Sequence, residues 1–205
     1  MEPYYTQDIE HPTCYNGFSR ERRNQENKRR IFDEKTVCFT GHRVLSESAK
    51  QLFSRLYTVL EKLVTEQGIT DFYAGGAVGF DTIAAKCVLR LRDALKEGAE
   101  VRLHLVLPCC NEDQTKNWTA EQKYEFRCIL QRADSVEYTA QKHDPQCMGR
   151  RNAKLVEYAT HYCVCYYDIN HRSGTAQTVS LARQKGLQII NLFPAAKSPL
   201  PSVTA

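Results

Sequence analysis

The chain has 205 residues, enough for one α/β domain with tails but short for two full domains. It is 42% hydrophobic and 25% charged, ordinary for a globular protein, and its net charge of +4 falls short of the basic excess of a dedicated nucleic-acid binder. No apolar run reaches the roughly 18 residues of a membrane span, and the start, MEPYYTQDIEHPTCYNG, lacks the basic-then-apolar pattern of a signal peptide, so a cytoplasmic protein is expected.

Residues 1–35 read as a basic N-terminal extension, with several tyrosines and then SRERRNQENKRR. Such a run is usually a solvated face and less often a contact for nucleic acid or a partner. From Thr36 the pattern alternates. Thr36–Thr40 is β-rich and ends at Gly41. Ser46 reads as an N-cap, followed by Leu52, Leu56, Val59, Leu60 and Leu63 at helical spacing and a stop at Gly68. Asp71–Ala74 is a second strand, Phe80–Lys96 a helix, and Glu100–Leu107 a third strand stopped by Pro108. A polar loop, NEDQTKNW, leads to a helix over Thr119–Ala133 and a strand at Ser135–Thr139. Met148–Ala159 reads as helix, His161–Tyr167 as strand, Ser173–Gly186 as helix and Gln188–Leu192 as the last strand. Residues 194–205 read as a disordered tail.

Strands alternating with helices predict a Rossmann-like, doubly wound α/β domain over residues 36–193. Its sheet is mostly parallel, of about six strands, with helices on both faces. Ligands of such sheets bind beyond the carboxyl ends of the strands. The loops after the strands are therefore where a site is sought.

Residues 74–85, AGGAVGFDTIAA, form a strand-to-helix turn with little side chain. Gly75, Gly76, Ala77 and Gly79 there would let backbone N–H groups approach a phosphate at the helix N-terminus. A tight turn needs glycine in any case, and the spacing is neither a Walker A loop nor G-x-G-x-x-G. Asp81 either caps the helix or accepts from a ligand hydroxyl such as that of a ribose. Gly41, His42 and Arg43 follow the first strand. Arg43 can grip phosphate in a bidentate manner, and His42 can donate to it or act as acid or base. Asp168 opens the loop that ends in Ser173, Gly174 and Thr175 at another helix N-terminus, where a hydroxyl cap is the bland alternative. Arg151 and Asn152 reach a ligand or only solvate their turn. Trp118 stacks on a base or anchors packing, beside Gln114.

The nine cysteines read as reduced thiols rather than a metal site, since no C-x-x-C pair occurs. No metal and no resident cofactor is expected.

CFTGHR at 38–43, YAGGAVGFDTIAA at 73–85, LVLPC at 105–109 with Gln114 and Trp118, RNAKLVEYA at 151–159 and YDINHRSGTAQTVSLARQKG at 167–186 follow one another in order. Together they resemble the YpsA-like branch of the SLOG superfamily, over roughly Thr36 to Leu192. The resemblance implies a bacterial protein with a Rossmann-like fold and a pocket for a nucleotide or nucleotide-derived ligand. The wider superfamily includes LOG-type phosphoribohydrolases, DprA-type single-stranded DNA binders and molybdenum-cofactor carriers. LOG enzymes carry a PGGxGTxxE motif with a catalytic glutamate. The matching stretch here is HRSGTAQTV, where Gln177 and Thr178 occupy that place.

The expectation is thus a protein that binds or senses a nucleotide-like small molecule, a homodimer being compatible with its size. The alternative is a hydrolase of N-glycosidic bonds using Asp81 or Asp168 with His42. Single-stranded nucleic-acid binding through the basic extension ranks third.

Overall fold

The structure is a computed structural model that describes residues 35–95, 100–171 and 173–194. The basic extension and the C-terminal tail, except for Lys35 and Pro194, lie outside the described residues. Six strands form one parallel sheet: β1 (Thr36–Gly41), β2 (Asp71–Ala74), β3 (Arg102–Leu107), β4 (Ser135–Tyr138), β5 (Tyr162–Tyr166) and β6 (Gln188–Asn191). Their order is β4-β3-β2-β1-β5-β6. Among the described residues the helices are α1 (Ala49–Thr65), α2 (Phe80–Ala94), α3 (Asn111–Thr115), α4 (Ala120–Arg132), α5 (Cys147–Tyr158) and α6 (Gly174–Gln184). This is the Rossmann-like α/β architecture that the alternating pattern predicts.

Alternation along the strands assigns the two faces. Val37, Phe39, Phe72, Leu103, Leu105, Val164 and Tyr166 pack with Leu56 and Leu60 of α1, Val88 of α2 and Phe126 of α4. Cys38, Val106, Cys163 and Cys165 point the other way, onto Leu155 of α5 and Val179 of α6. Strands buried on both sides read as continuous apolar runs, as HYCVCYY does. The eight cysteines among the described residues are free thiols.

Several boundaries move for local reasons. The N-cap of α1 is Ser48, whose side chain accepts from the Gln51 N–H, and not Ser46. The Ser46 hydroxyl is held instead by Tyr166 Oη at 2.6 Å. A tertiary partner thus competes with the cap, and the next serine takes over. α2 ends at Ala94, and β3 begins pairing at Arg102 opposite Asp71, later than Glu100. The polar loop contains the single turn α3. Thr119 is a cap rather than a helical residue and forms a capping box with Gln122. Ser173 caps α6 by accepting from the Ala176 N–H.

Candidate functional site

β1 has β2 on one side and β5 on the other, so the strand order reverses between β1 and β5. The loops leaving their carboxyl ends diverge there and open a crevice. It holds a cavity of about 630 Å³. Gly41 at the end of β1 and His42 and Arg43 just after it line the cavity. Asp168 after β5 and Ser173, Gly174 and Thr175 at the start of α6 line it as well. Ala77 and Asp81, and Arg151 and Asn152 of α5, complete these contributions. Residues from four separate stretches of sequence therefore meet in one place. Thr40, Val44, Met148, His171 and Phe193 also line it. Thr40 and His171 lie inside the quoted motifs without having been singled out, and Val44, Met148 and Phe193 lie outside them.

Gly75, Gly76 and Gly79 are not among the lining residues. Their bareness makes room for protein. A Cβ on Gly75 would fall on the Arg151 guanidinium, and within 2.8 Å of Asp81 Oδ2. Gly76, at φ +64°, has Leu107 Cδ2 2.5 Å from the Cβ position, and its carbonyl accepts from Gln114 Nε2 at 2.7 Å. Gly79, at φ +82°, packs on the Arg43 backbone, so the turn before α2 props up the loop after β1. A Cβ on Gly41 would lie 2.5 Å from Phe80, which sets that loop against α2. Trp118 packs edge-on against Phe126, with ring centroids 5.3 Å apart, and serves as an anchor.

The space beside Gly75 is filled by an ion pair. Arg151 Nη1 donates to Asp81 Oδ2 at 3.1 Å, with side chains 11% and 4% exposed. The same oxygen accepts from the Ala77 N–H at 3.4 Å. Burial pushes the Asp81 carboxyl above its usual range, and the charge of Arg151, the Ala77 amide and Arg43 oppose that rise. Arg151 Nη2 lies 3.9 Å from Met148 Sδ, while its buried Nε–H has no hydrogen-bond partner. A buried guanidinium N–H left without an acceptor is a group that a ligand oxygen would satisfy.

His42 is held in one tautomer. Its Nε2 accepts from the Asp168 N–H at 2.9 Å, so the neutral ring carries its proton on Nδ1. Burial lowers its pKa, His171 lowers it further, and Asp168 opposes both. The ring is therefore neutral at neutral pH, with the lone pair on Nε2 engaged. Asp168 begins a turn: Oδ1 accepts from the Asn170 N–H at 2.9 Å, and its carbonyl accepts from the His171 N–H. Asn152 is 6% exposed and donates to the Gly174 carbonyl at 3.4 Å, which ties α5 to the start of α6. At the place of the LOG glutamate, Gln177 is exposed and Thr178 is buried with its hydroxyl on the Gly174 carbonyl.

The YpsA family model, described as the YspA SLOG family, matches residues 45–190. The chain belongs to the YspA SLOG family. It is 27% identical over 158 residues to the uncharacterized SPbeta prophage-derived protein YoqJ of Bacillus subtilis (strain 168), covering 70% of this chain and 88% of that one. Among solved structures it is similar to DNA processing protein A (DprA) of Streptococcus pneumoniae, with TM-score 0.54, 16% identity and coverage of 82% of this chain and 53% of that one. It is also similar to Helicobacter pylori DprA, whose structure concerns a single-stranded DNA binding mode, with TM-score 0.55, 16% identity and coverage of 82% and 70%. The chain thus spans about half the length of the S. pneumoniae protein, and at this identity the likeness is one of fold. Among the described residues no helix is long and apolar enough to cross a membrane.

Proposed function

We propose that this SLOG family member binds a nucleotide or nucleotide-derived small molecule in the cavity between β1 and β5. The observation that carries this reading is the unpartnered, buried Nε–H of Arg151 in a residue that lines the cavity. A second feature agrees with it: the N-terminus of α6 borders the same space, where backbone N–H groups and the helix dipole favour an anion. The volume, about 630 Å³, falls within the several hundred Å³ usual for small-molecule sites. A phosphate group sits between Arg151, Arg43 and the Gly174–Thr175 amides. Asp81 orients Arg151, and its Oδ1 serves a ribose hydroxyl. Gly75, Gly76 and Gly79 support the site from behind.

Binding is favoured over hydrolysis. The His42 Nε2 lone pair is engaged by the Asp168 amide, and neither Gln177 nor Thr178 supplies a carboxylate for glycosidic cleavage.

The test is a thermal-shift screen against nucleoside mono-, di- and triphosphates, NAD, ADP-ribose, cyclic nucleotides and a short single-stranded oligodeoxynucleotide. A ligand at about 100 times its Kd adds about 2.7 kcal/mol to stability. Stabilisation by a mononucleotide-sized compound, weakened at least roughly tenfold in Kd by Arg43→Ala, is the expected result. Stabilisation by the oligonucleotide alone, or by nothing in the panel, overturns the proposal.

A further inference from the structure

A second constellation lies at the opposite, amino-terminal end of the sheet and has no connection with the cavity. Ser135 is the first residue of β4 and pairs in register with His104 of β3. Asp71 is the first residue of β2, two positions before Tyr73, the register partner of His104. Side chains two apart on a strand share a face. The three residues therefore stand in a row across neighbouring strands. Ser135 Oγ is 2.7 Å from His104 Nδ1, and His104 Nε2 is 2.7 Å from Asp71 Oδ1.

The proton arrangement follows from the donors and acceptors. Asp71 is 2% exposed. It accepts from Arg102 through both oxygens, each at 2.7 Å, and from the Thr70 hydroxyl at 2.6 Å. Burial alone would push the carboxyl up, but the bonds from His104, Arg102 and Thr70 outweigh it and hold the group well below the usual carboxylate range. An ionised carboxylate only accepts, so His104 Nε2 carries the proton. In the neutral ring Nδ1 is then an acceptor, and the only proton available along the 2.7 Å contact is that of the Ser135 hydroxyl. The Tyr73 ring, stacked on the imidazole at 4.7 Å, fixes its plane. Ser135 itself is exposed.

We infer that Ser135 is a nucleophile activated by the Asp71–His104 pair, able to take an acyl or phosphonyl group from an activated ester or halide. Nucleophile, base and orienting carboxylate are connected as in a serine-based triad, with the two imidazole nitrogens exchanged. Attack forms the Ser135 Oγ–carbon or Oγ–phosphorus bond. The serine proton passes to His104 Nδ1 and leaves with the alkoxide or halide whose bond breaks. Asp71 and His104 are positioning and base groups respectively. Because Arg102 shares the Asp71 charge, the carboxylate acts chiefly by fixing the tautomer. The predicted event is stoichiometric transfer to Ser135.

The full-length protein is incubated with an alkyl fluorophosphonate, and labelled positions are found by peptide mass spectrometry as a function of time. Ser54 and Ser180, also exposed, serve as internal references within the same folded molecule. Ser135 is expected to label at least ~100-fold faster than either, the usual contribution of a positioned general base. His104→Gln is expected to bring Ser135 to the rate of the references, with circular dichroism confirming that the variant is folded. Labelling of Ser135 no faster than Ser54 and Ser180 in the unaltered protein overturns the inference without recourse to any variant. Equal Ser135 labelling in folded His104→Gln overturns it as well. Neither outcome bears on the cavity, whose nucleotide reading stands or falls separately.

Discussion

Gly75 has no room for a β-carbon because the Arg151 guanidinium occupies that position. Gly75→Ala therefore displaces Arg151 from Asp81 and leaves a buried carboxylate without its cation. Breaking a buried pair in this way costs about 3–5 kcal/mol, read as a fall in urea stability at neutral pH. The pH dependence has a definite sign. The Asp81 pKa is raised by burial, so its contribution to stability is complete below the ordinary value of 3.8 and is lost as pH rises through the folded-state value. Loss of Arg151 from its side raises that pKa further. The deficit of Gly75→Ala is thus larger at neutral pH than at about pH 4. Equal deficits at both would mean that the glycine serves only the turn. Legibility was limited here: the sequence marked Gly75, Asp81 and Arg151 as candidates, but nothing in it says that 70 residues of separation close to 3.1 Å.

At the level of elements, α5 carries Met148, Arg151 and Asn152 into the cavity yet has no basic residue in its last turn. Lys185, just beyond α6, supplies one. Its ammonium donates to the carbonyls of Val156, Glu157 and Ala159 at 2.8, 2.6 and 2.7 Å. These are carbonyls that a helix end leaves without intrahelical partners. Burial lowers the Lys185 pKa, and the charges of Cys38 and Glu157 oppose that fall. Lys185→Met strands those carbonyls and is expected to cost roughly 2 kcal/mol, the scale of hydrogen bonds to a charged group. Denaturation measures the loss, and faster amide exchange at Tyr158 and Ala159 locates it. Unchanged exchange there would refute the capping role. Capping signals were partly legible: Ser173, weighed as a hydroxyl cap, does cap α6, whereas Thr119, read as helical, is the cap of α4 with Gln122. Ser46 misled because Tyr166, 120 residues away, claims its hydroxyl.

Across the whole molecule, acid stability depends on where Asp71 ties β2 to β3. Its pKa is depressed, so the stability it contributes is present above the ordinary value of 3.8 and is lost as pH falls below it. The slope is about 1.4 kcal/mol per pH unit for one proton. Asp71→Asn should be less stable at neutral pH and should lack this segment of the acid slope, as read from denaturant midpoints between about pH 4 and pH 2. An unchanged slope would assign the acid sensitivity elsewhere. Asp81, with its shift of opposite sign, does not mimic this behaviour.

Local pattern alone determined the alternation of strands and helices, the parallel α/β class and the candidate loops. These follow from apolar periodicity and from glycine, serine and proline at element ends, which act over a few residues. Tertiary structure decided the rest. The position of β5 beside β1 makes the switch point, and with it the cavity. The closing of β2, β3 and β4 brings Asp71, His104 and Ser135 into line. Both depend on which strands become neighbours, and that choice is made by packing two sets of helices on one sheet, a long-range condition that no short window of sequence contains.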